Sequence, residues 1–424
     1  MNANAVLKSL DLLLGEKELS YLKDETRKLK DSIEKELRKD KISADVFIGG
    51  SFAKGTLIRG EILDVDIFIR FDWKYEKLSE MLEKVLKRIL KTRKLKLEKV
   101  HGSRDYFRIR LGKNVVFEVI PVTKIKKPSE MRNVTDLSYF HVNYVKKKLR
   151  KLGKEVVFAK KFCKAAGVYG AESYVNGFSG YGLECLVIYY KSFEKMLKEL
   201  GKVKESERLI IDSEKKFKKK SDVLFELNES KLNSPIILID PTWKERNALS
   251  ALSWESFEKF KKAASAFLKK PSREFFEEKK IDEKKLKNQA KSRKAEFVHI
   301  KLETDKQEGD IAGTKMKKFS DFIRHEIEEY FEILNKEFGY SQKKSADFYL
   351  VLKSKKELIK TGPPAKFEKH AEAFRKAHKN VFEKNGVFYA KIKINLNAKE
   401  FLRKFAKERA KTLKDMDITG FKVI

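Results

Sequence analysis

Asp64-Val65-Asp66 sets two carboxylates two residues apart, in a stretch where Val65, Ile67, Ile69 and Phe71 alternate with Asp64, Asp66, Phe68 and Arg70. That is the period of a β-strand. Residues i and i+2 of a strand leave the same face, so both acids converge on one point while Val65, Ile67 and Ile69 anchor the other face in a core. Two carboxylates so close repel each other unless a hard divalent cation such as Mg2+ lies between them. A lone Asp-X-Asp is common in solvated turns; its placement on a strand gives this one chemical weight. A third acid, Glu118, interrupts the apolar run Val115-Val116-Phe117-Glu118-Val119-Ile120, and a carboxylate there is costly unless it is paired or binds metal. Upstream, Gly49-Gly50-Ser51 follows the short apolar run Val46-Phe47-Ile48. Glycines let backbone N–H groups approach a phosphate closely, Ser51 adds a hydroxyl, and Lys54 adds a positive charge one turn on. Three acids on adjacent strands beside a phosphate loop describe two-metal phosphoryl transfer. One cation would polarise an attacking 3′-hydroxyl, and the other would hold a triphosphate and the departing pyrophosphate.

These side chains need elements to hold them. Residues 1–40 carry a helical stripe through Val6, Leu10, Leu14, Leu22, Leu29 and Ile33. An amphipathic helix is expected at Tyr75–Leu90, with strands at Tyr106–Leu111 and Val115–Val122. From Ser138 the period is helical again, over Ser138–Leu149, Glu155–Ala166 and Tyr181–Leu200, and Pro235–Ile239 reads as extended. Residues 269–294 are densely charged and read as a linker or exposed helix. The last third predicts a strand at Glu296–Leu302, a helix at Phe319–Phe338 and a strand at Phe348–Leu352. Lys384-Asn385-Gly386-Val387 has the Asn-Gly signature of a tight hairpin. The whole is read as α+β. A catalytic head with a mixed sheet spans 1–137, a helical neck and central domain 138–265, a charged stretch 266–295 and a basic α/β body and tail 296–424.

Composition narrows the partners. The 424 residues contain 97 Lys and Arg against 63 Asp and Glu, a net charge of +34 that calls for a polyanion, nucleic acid before an acidic membrane. With 41% hydrophobic residues and 31 Phe the chain has ample core, which excludes global disorder. No apolar run approaches the roughly 18 residues of a membrane span. The run from Met1 to Leu14 is broken by Lys8 and Asp11, so no secretory signal is expected. Two cysteines, Cys163 and Cys185, exclude a disulfide scaffold and a zinc site and fit a reducing cytoplasm. Basic runs at Lys215–Lys220, around Arg375 and at Lys391 and Lys393, the last two with Phe374, Phe382 and Tyr389 nearby, suit phosphates and unpaired bases.

Gly50-Ser51 followed by Asp64-Val65-Asp66-Ile67 resembles the signature of the DNA polymerase β-like nucleotidyltransferases. Gly167-Val168-Tyr169-Gly170-Ala171-Glu172 and Gly177-Phe178-Ser179-Gly180-Tyr181 narrow the likeness to the archaeal, class I CCA-adding enzymes, and Asp240-Pro241, Arg246-Asn247 and Gly362-Pro363 follow in that family's order. The resemblance implies addition of C, C and A to the 3′ end of tRNA from CTP and ATP, and a C-terminal module similar to an RRM. It makes Asp64, Asp66 and Glu118 the catalytic acids and the ligands of two Mg2+ ions, with Glu118 also acting on the primer hydroxyl. It sets Gly50, Ser51 and Lys54 on the triphosphate, places Ser138, His141, Lys160 and Tyr169 around CTP or ATP, and matches Arg246 to the choice of C and A. Lys54 stands where the family usually has Arg, and Glu118 where it commonly has Asp; His101 or Arg104 takes the place of a family histidine. The expected partner is tRNA, through its acceptor stem and 3′ end, with no membrane; a homodimer is left open. The rival readings are a poly(A) or oligoadenylate polymerase and a non-catalytic RNA-binding protein.

Overall fold

The computed structural model describes residues 2–60, 62–93, 95–205 and 207–424. The chain divides into two compact units, one of residues 1–171 and 175–278, the other of residues 172–174 and 279–424. The first unit begins with α1 (Ala3–Ser9), α2 (Glu16–Lys39), β1 (Ala44–Ile48), α3 (Gly50–Lys54), β2 (Leu63–Phe71), α4 (Leu78–Arg93), β3 (Leu97–Val100), β4 (Tyr106–Leu111) and β5 (Val115–Thr123). The five strands form one mixed sheet in the order β1-β2-β5-β4-β3, in which β2 and β5 run parallel. The alternation in 63–71 is realised: Val65, Ile67 and Ile69 are wholly buried under Leu22, Leu29 and Ile33 of α2 and Leu82, Val85 and Leu86 of α4. Because helices occupy that face, the acids of β2 are left on the other. The strands position the chemistry by parity alone.

The unit continues with α5 (Ser138–Leu149), α6 (Gly153–Ala165), α7 (Gly180–Tyr190), α8 (Phe193–Gly201), β6 (Leu209–Ile211), α9 (Lys220–Glu226), α10 (Glu229–Leu232), β7 (Ile236–Asp240), β8 (Trp243–Asn247) and α11 (Trp254–Lys269). The single helix expected over 181–200 is two. Lys191 takes a left-handed φ of 68°, and the Ser192 side chain accepts from Lys195 N to start α8; a serine at that position offers an N-cap that a propensity count overlooks. Val6 and Leu7 of α1 join this second core, with Val145, Leu149 and Phe162, rather than the core under the first sheet. Phe162 lies at its centre, its ring 5.5–6.5 Å from those of Phe193, Phe260, Phe267, Phe275 and Phe276.

The second unit holds α12 (Glu283–Ser292), β9 (Glu296–Glu303), α13 (Asp310–Glu328), β10 (Phe331–Tyr340), β11 (Ser345–Ser354), β12 (Glu357–Pro364), α14 (Glu368–Ala377), β13 (Val381–Lys384), β14 (Val387–Lys393), α15 (Ala398–Glu408), α16 (Ala410–Asp415) and β15 (Gly420–Val423). One antiparallel sheet runs β10-β11-β9-β15 and a smaller one β12-β14-β13. Setting the smaller sheet, α14 and the short α16 aside, the order β9-α13-β10-β11-α15-β15 is a split βαβ arrangement. The expected helix at 319–338 is corrected: α13 ends at Glu328, and Phe331–Tyr340 pairs with β11 from Phe331 opposite Ser354 to Tyr340 opposite Ala346. Tyr330, Phe331, Leu334 and Phe338 fall three and four apart and mimic a helical stripe, but aromatic residues against a partner strand favour the extended chain. In the charged stretch, Phe276 is buried in the core of the first unit, while Leu286 and Ala290 bury one face of α12 against Tyr349 and Val351 of the second. The Asn-Gly turn is as read, with φ of 53° at Asn385 and 74° at Gly386. Among the described residues no helix is long and apolar enough to cross a membrane.

Replacing the hub of the aromatic cluster removes a ring with five ring neighbours. Phe162→Ala is expected to destabilise the first unit by about 3–5 kcal/mol, read as a lowered midpoint in urea unfolding.

Candidate active site

Asp66 on β2 stands directly opposite Glu118 on the parallel strand β5, and Asp64 opposite Val116 one step away. The three acids therefore share the face of the sheet opposite α2 and α4. The Gly49 N–H donates to the Asp66 carbonyl at 2.9 Å, which folds the phosphate loop over the end of β2. Gly50 has φ of 60°, and a Cβ there would sit 1.6 Å from Asp66 Oδ2. Only glycine lets this backbone lie against that carboxylate.

Loss of water around Asp66, reinforced by the charge of Glu118, pushes its carboxyl up to about 7, with Lys54 pulling the other way. Burial also raises Asp64 and Glu118. Glu118 is compensated by Arg108, its register neighbour on β4, whose Nε donates to Oε1 at 2.8 Å; Arg108 also reaches the Tyr106 hydroxyl at 3.0 Å. Among the described residues no three His, Cys, Asp or Glu side chains are gathered into ready metal-ligating geometry, consistent with Glu118 turned to Arg108. The donor set fits a hard cation all the same: oxygen ligands only, on one face and mutually repelling.

A second cluster stands on α3, α6 and α7. Glu184, wholly buried, accepts from Lys54 Nζ at 2.6 Å, from Lys160 Nζ at 2.8 Å and from the Thr56 hydroxyl at 2.9 Å. Burial alone would raise its carboxyl, but Lys160 and Lys54 outweigh that and hold it at about 2. Ser51 lies in the first turn of α3. Tyr169 and Lys160 flank Gly180, where an added Cβ would lie 2.9 Å from the tyrosine oxygen and 3.9 Å from Lys160 Cε.

The third cluster has Asp240 at its centre, at the end of β7. Its Oδ2 lies 2.9 Å from His141 Nε2 and accepts from Arg246 Nη1 at 2.8 Å. Its Oδ1 accepts from the Tyr181 hydroxyl at 2.9 Å and from Thr242 N and Oγ1 at 2.8 Å each. His141 stacks on Tyr181 with ring centres 4.0 Å apart, and Arg246 lies over the same ring at 5.8 Å. Burial lowers the His141 imidazole below its usual range. Ser138 opens α5 one turn before His141.

The structure thus gathers Gly50, Asp66 and Glu118, then Lys54 with Lys160, then His141 with Arg246. Both candidates for the family histidine have partners of their own. His101 is exposed and bonded to Asp105, and Arg104 is bound to Asp136 and the Pro121 carbonyl. The residue on Glu118 is Arg108, which sequence reading passed over, as it passed over Glu184 and the part played by Asp240. The signal was present: Glu184 interrupts Leu183–Val187 and Asp240 ends Ile236–Ile239, each an acid in an apolar run like Glu118.

Two outcomes follow from these charges. Asp66 binds a proton in the folded chain up to about pH 7, where the unfolded chain has released it, so its contribution to stability declines as pH rises from about 4 through 7. Without divalent cations the unfolding temperature is expected to fall between about pH 5 and pH 8; Asp66→Asn flattens that slope, and Mg2+ raises the unfolding temperature more at the upper end. Asp240→Asn removes a charge that serves both His141 and Arg246 and is expected to cost about 3–5 kcal/mol in denaturant unfolding.

Comparison with known proteins identifies the domains. A nucleotidyltransferase domain model matches residues 29–139, and a model described as tRNA nucleotidyltransferase, second domain, matches residues 154–277. The solved structure of Cid1, titled for its RNA terminal uridylyl transferase activity, is similar in fold, with a TM-score of 0.50, 11% identity and coverage of 66% of this chain and 98% of that one. The chain is 41% identical over 213 residues to the CCA-adding enzyme of Nanoarchaeum equitans, covering 50% of this chain and 52% of that protein. The chain thus spans about half the length of this curated relative. To the CCA-adding enzymes of Saccharolobus islandicus and Thermoplasma volcanium it is 30% and 31% identical, over 74% and 82% of this chain and 72% and 75% of theirs. Carrying both domains and matching these proteins over most of their length, the chain belongs to the family of CCA-adding enzymes.

Proposed function

We propose that the chain adds C, C and then A to the 3′ end of tRNA, taking CTP and ATP and releasing pyrophosphate. The observation that carries the reading is the in-register pair Asp66 and Glu118 beneath Gly50, which sets a cation-seeking face against a phosphate-seeking loop. The triphosphate lies along Gly50 and Ser51, with Lys54 beside it. Asp64, Asp66 and Glu118 would hold two Mg2+ ions, which supply charge neutralisation at the attacking and leaving oxygens. The primer O3′ bonds to the α-phosphorus as the bond from that phosphorus to the pyrophosphate oxygen breaks. Glu118, whose carboxyl burial raises, would take the O3′ proton. His141, Tyr169 and Arg246 offer stacking and hydrogen-bonding faces to the base. The charge of +34 supplies attraction for the tRNA phosphates, and two free, buried cysteines suit work in the cytoplasm.

Incubating the chain with tRNA lacking CCA, Mg2+ and labelled CTP and ATP is expected to add three residues and stop. Asp64→Ala with Asp66→Ala is expected to reduce incorporation by about a thousandfold or more while gel-shift binding of tRNA persists. Long tails from ATP alone would assign a poly(A) polymerase instead; binding with no incorporation in the unaltered chain would leave an RNA-binding protein.

A further inference from the structure

The basic run at 215–220 has no part in the three clusters of the first unit. It holds five lysines and no acid, and all five are exposed. The run is anchored at its middle: Phe217 packs against the small core of Val223, Leu227, Ile237 and Ile239, and its N–H donates to Asp212 Oδ2 at 2.9 Å. Lys220 then opens α9. Val223 and Leu227, one turn apart, face that core, which turns the residues between them outward. Leu224 is 45% exposed and Phe225 88%, the largest exposure of any large apolar side chain among the described residues. Beside them Leu224, Ile210 of β6, Arg208 and Trp254 of α11 line an open cavity of about 400 Å3.

A lone exposed phenylalanine carries no message; this one adjoins a cavity and a run of positive charge. The volume is at the small end of ligand sites, room for a single heterocycle and too little for a peptide helix. The walls are two aliphatic side chains, an indole and a guanidinium. Indole and guanidinium planes stack on a flat ring, and the guanidinium also donates to the ring's polar edge. An acyl chain has no use for that fork. We propose that this face is a second RNA-contacting site, built for one unpaired nucleotide and its neighbours. One base enters the cavity, Phe225 stacks on the next, and the flanking phosphates lie along the lysines of 215–220. None of these residues belongs to the acid, Glu184 or Asp240 clusters, so the site stands or falls apart from the reading of the chemistry.

The test uses the full chain and two fluorescein-labelled probes, a single-stranded RNA of ten nucleotides and a blunt RNA duplex of the same length. Affinities are read by fluorescence anisotropy and fold by circular dichroism; Phe225 is so exposed that its replacement leaves the core intact. Phe225→Ala is expected to weaken single-strand binding by about tenfold and duplex binding by less than about twofold. Phe225→Tyr keeps the ring and is expected to restore single-strand affinity to within about threefold. Arg208→Gln is expected to cost about fivefold on the single strand. Changing Lys218, Lys219 and Lys220 together to Gln is expected to reduce the salt slope by about 2. The Phe225→Ala loss is expected to persist in a chain that also carries Asp64→Ala and Asp66→Ala; its disappearance there would trace it to the acids and overturn the proposal. Single-strand affinity unchanged in both Phe225→Ala and Arg208→Gln overturns it, as does an equal loss on single strand and duplex. Phosphatidylserine vesicles are the third probe: vesicle binding that Phe225→Ala abolishes while RNA binding persists would assign the face to a membrane surface instead.

Discussion

A carboxylate taken out of water must find its compensation in place, and the first unit is arranged around that requirement. Glu118 is answered across one strand pair by Arg108, Glu184 by lysines from two helices, and Asp240 by a histidine, an arginine, a tyrosine and a threonine. The compensation of Glu184, and that of Asp240 by His141 and Tyr181, reaches across elements far apart in the chain. The same contacts that satisfy the charges therefore set α3, α5, α6, α7 and β7 about the sheet. Asp66 is the exception. It stands close to Glu118 and Asp64 and is relieved only in part by Lys54, so the site retains a demand for positive charge that other clusters have met internally. Stability and reactivity divide along that line.

What sequence could show was what period and parity govern. Asp64 and Asp66 face away from Val65, Ile67 and Ile69 because a strand alternates, and no tertiary knowledge is needed to see it. Asn385-Gly386 could be read because its backbone conformation is intrinsic to those residues. Glu118 could be suspected because it sat in an apolar run, and the same test applied to Glu184 would have found it; helical spacing there drew attention to the apolar neighbours. Arg108 was invisible for another reason. Its partner is set by the β4–β5 register, and register follows from turn geometry and packing together. The strand at Phe331–Tyr340 was mistaken because its aromatics fit two periods at once, and only the partner strand decides between them.

The second unit shows the same dependence on partners. Its split βαβ sheet buries Val298, Ile300 and Leu302 against α13 and α15. The other face has Tyr349 and Val351 covered by α12, with Phe297 and His299 stacked on Tyr349. A stretch that composition marks as solvated thus contributes a cover to a sheet, because two small contacts, Leu286 and Ala290, are enough to anchor ten residues that are otherwise mostly charged.

The placement of α1 bears on how the chain assembles. Val6 and Leu7 dock into a cluster whose other members run from Val145 to Phe276, so during synthesis this segment has no home until some of the last of that unit has emerged. At translation rates of 5–20 residues per second that wait is on the order of ten seconds or more. During it α2 and the five-stranded sheet can form, while the two exposed apolar side chains ahead of them stay without a partner. Nascent chains stalled before the aromatic cluster is complete should leave this leading helix open to proteases.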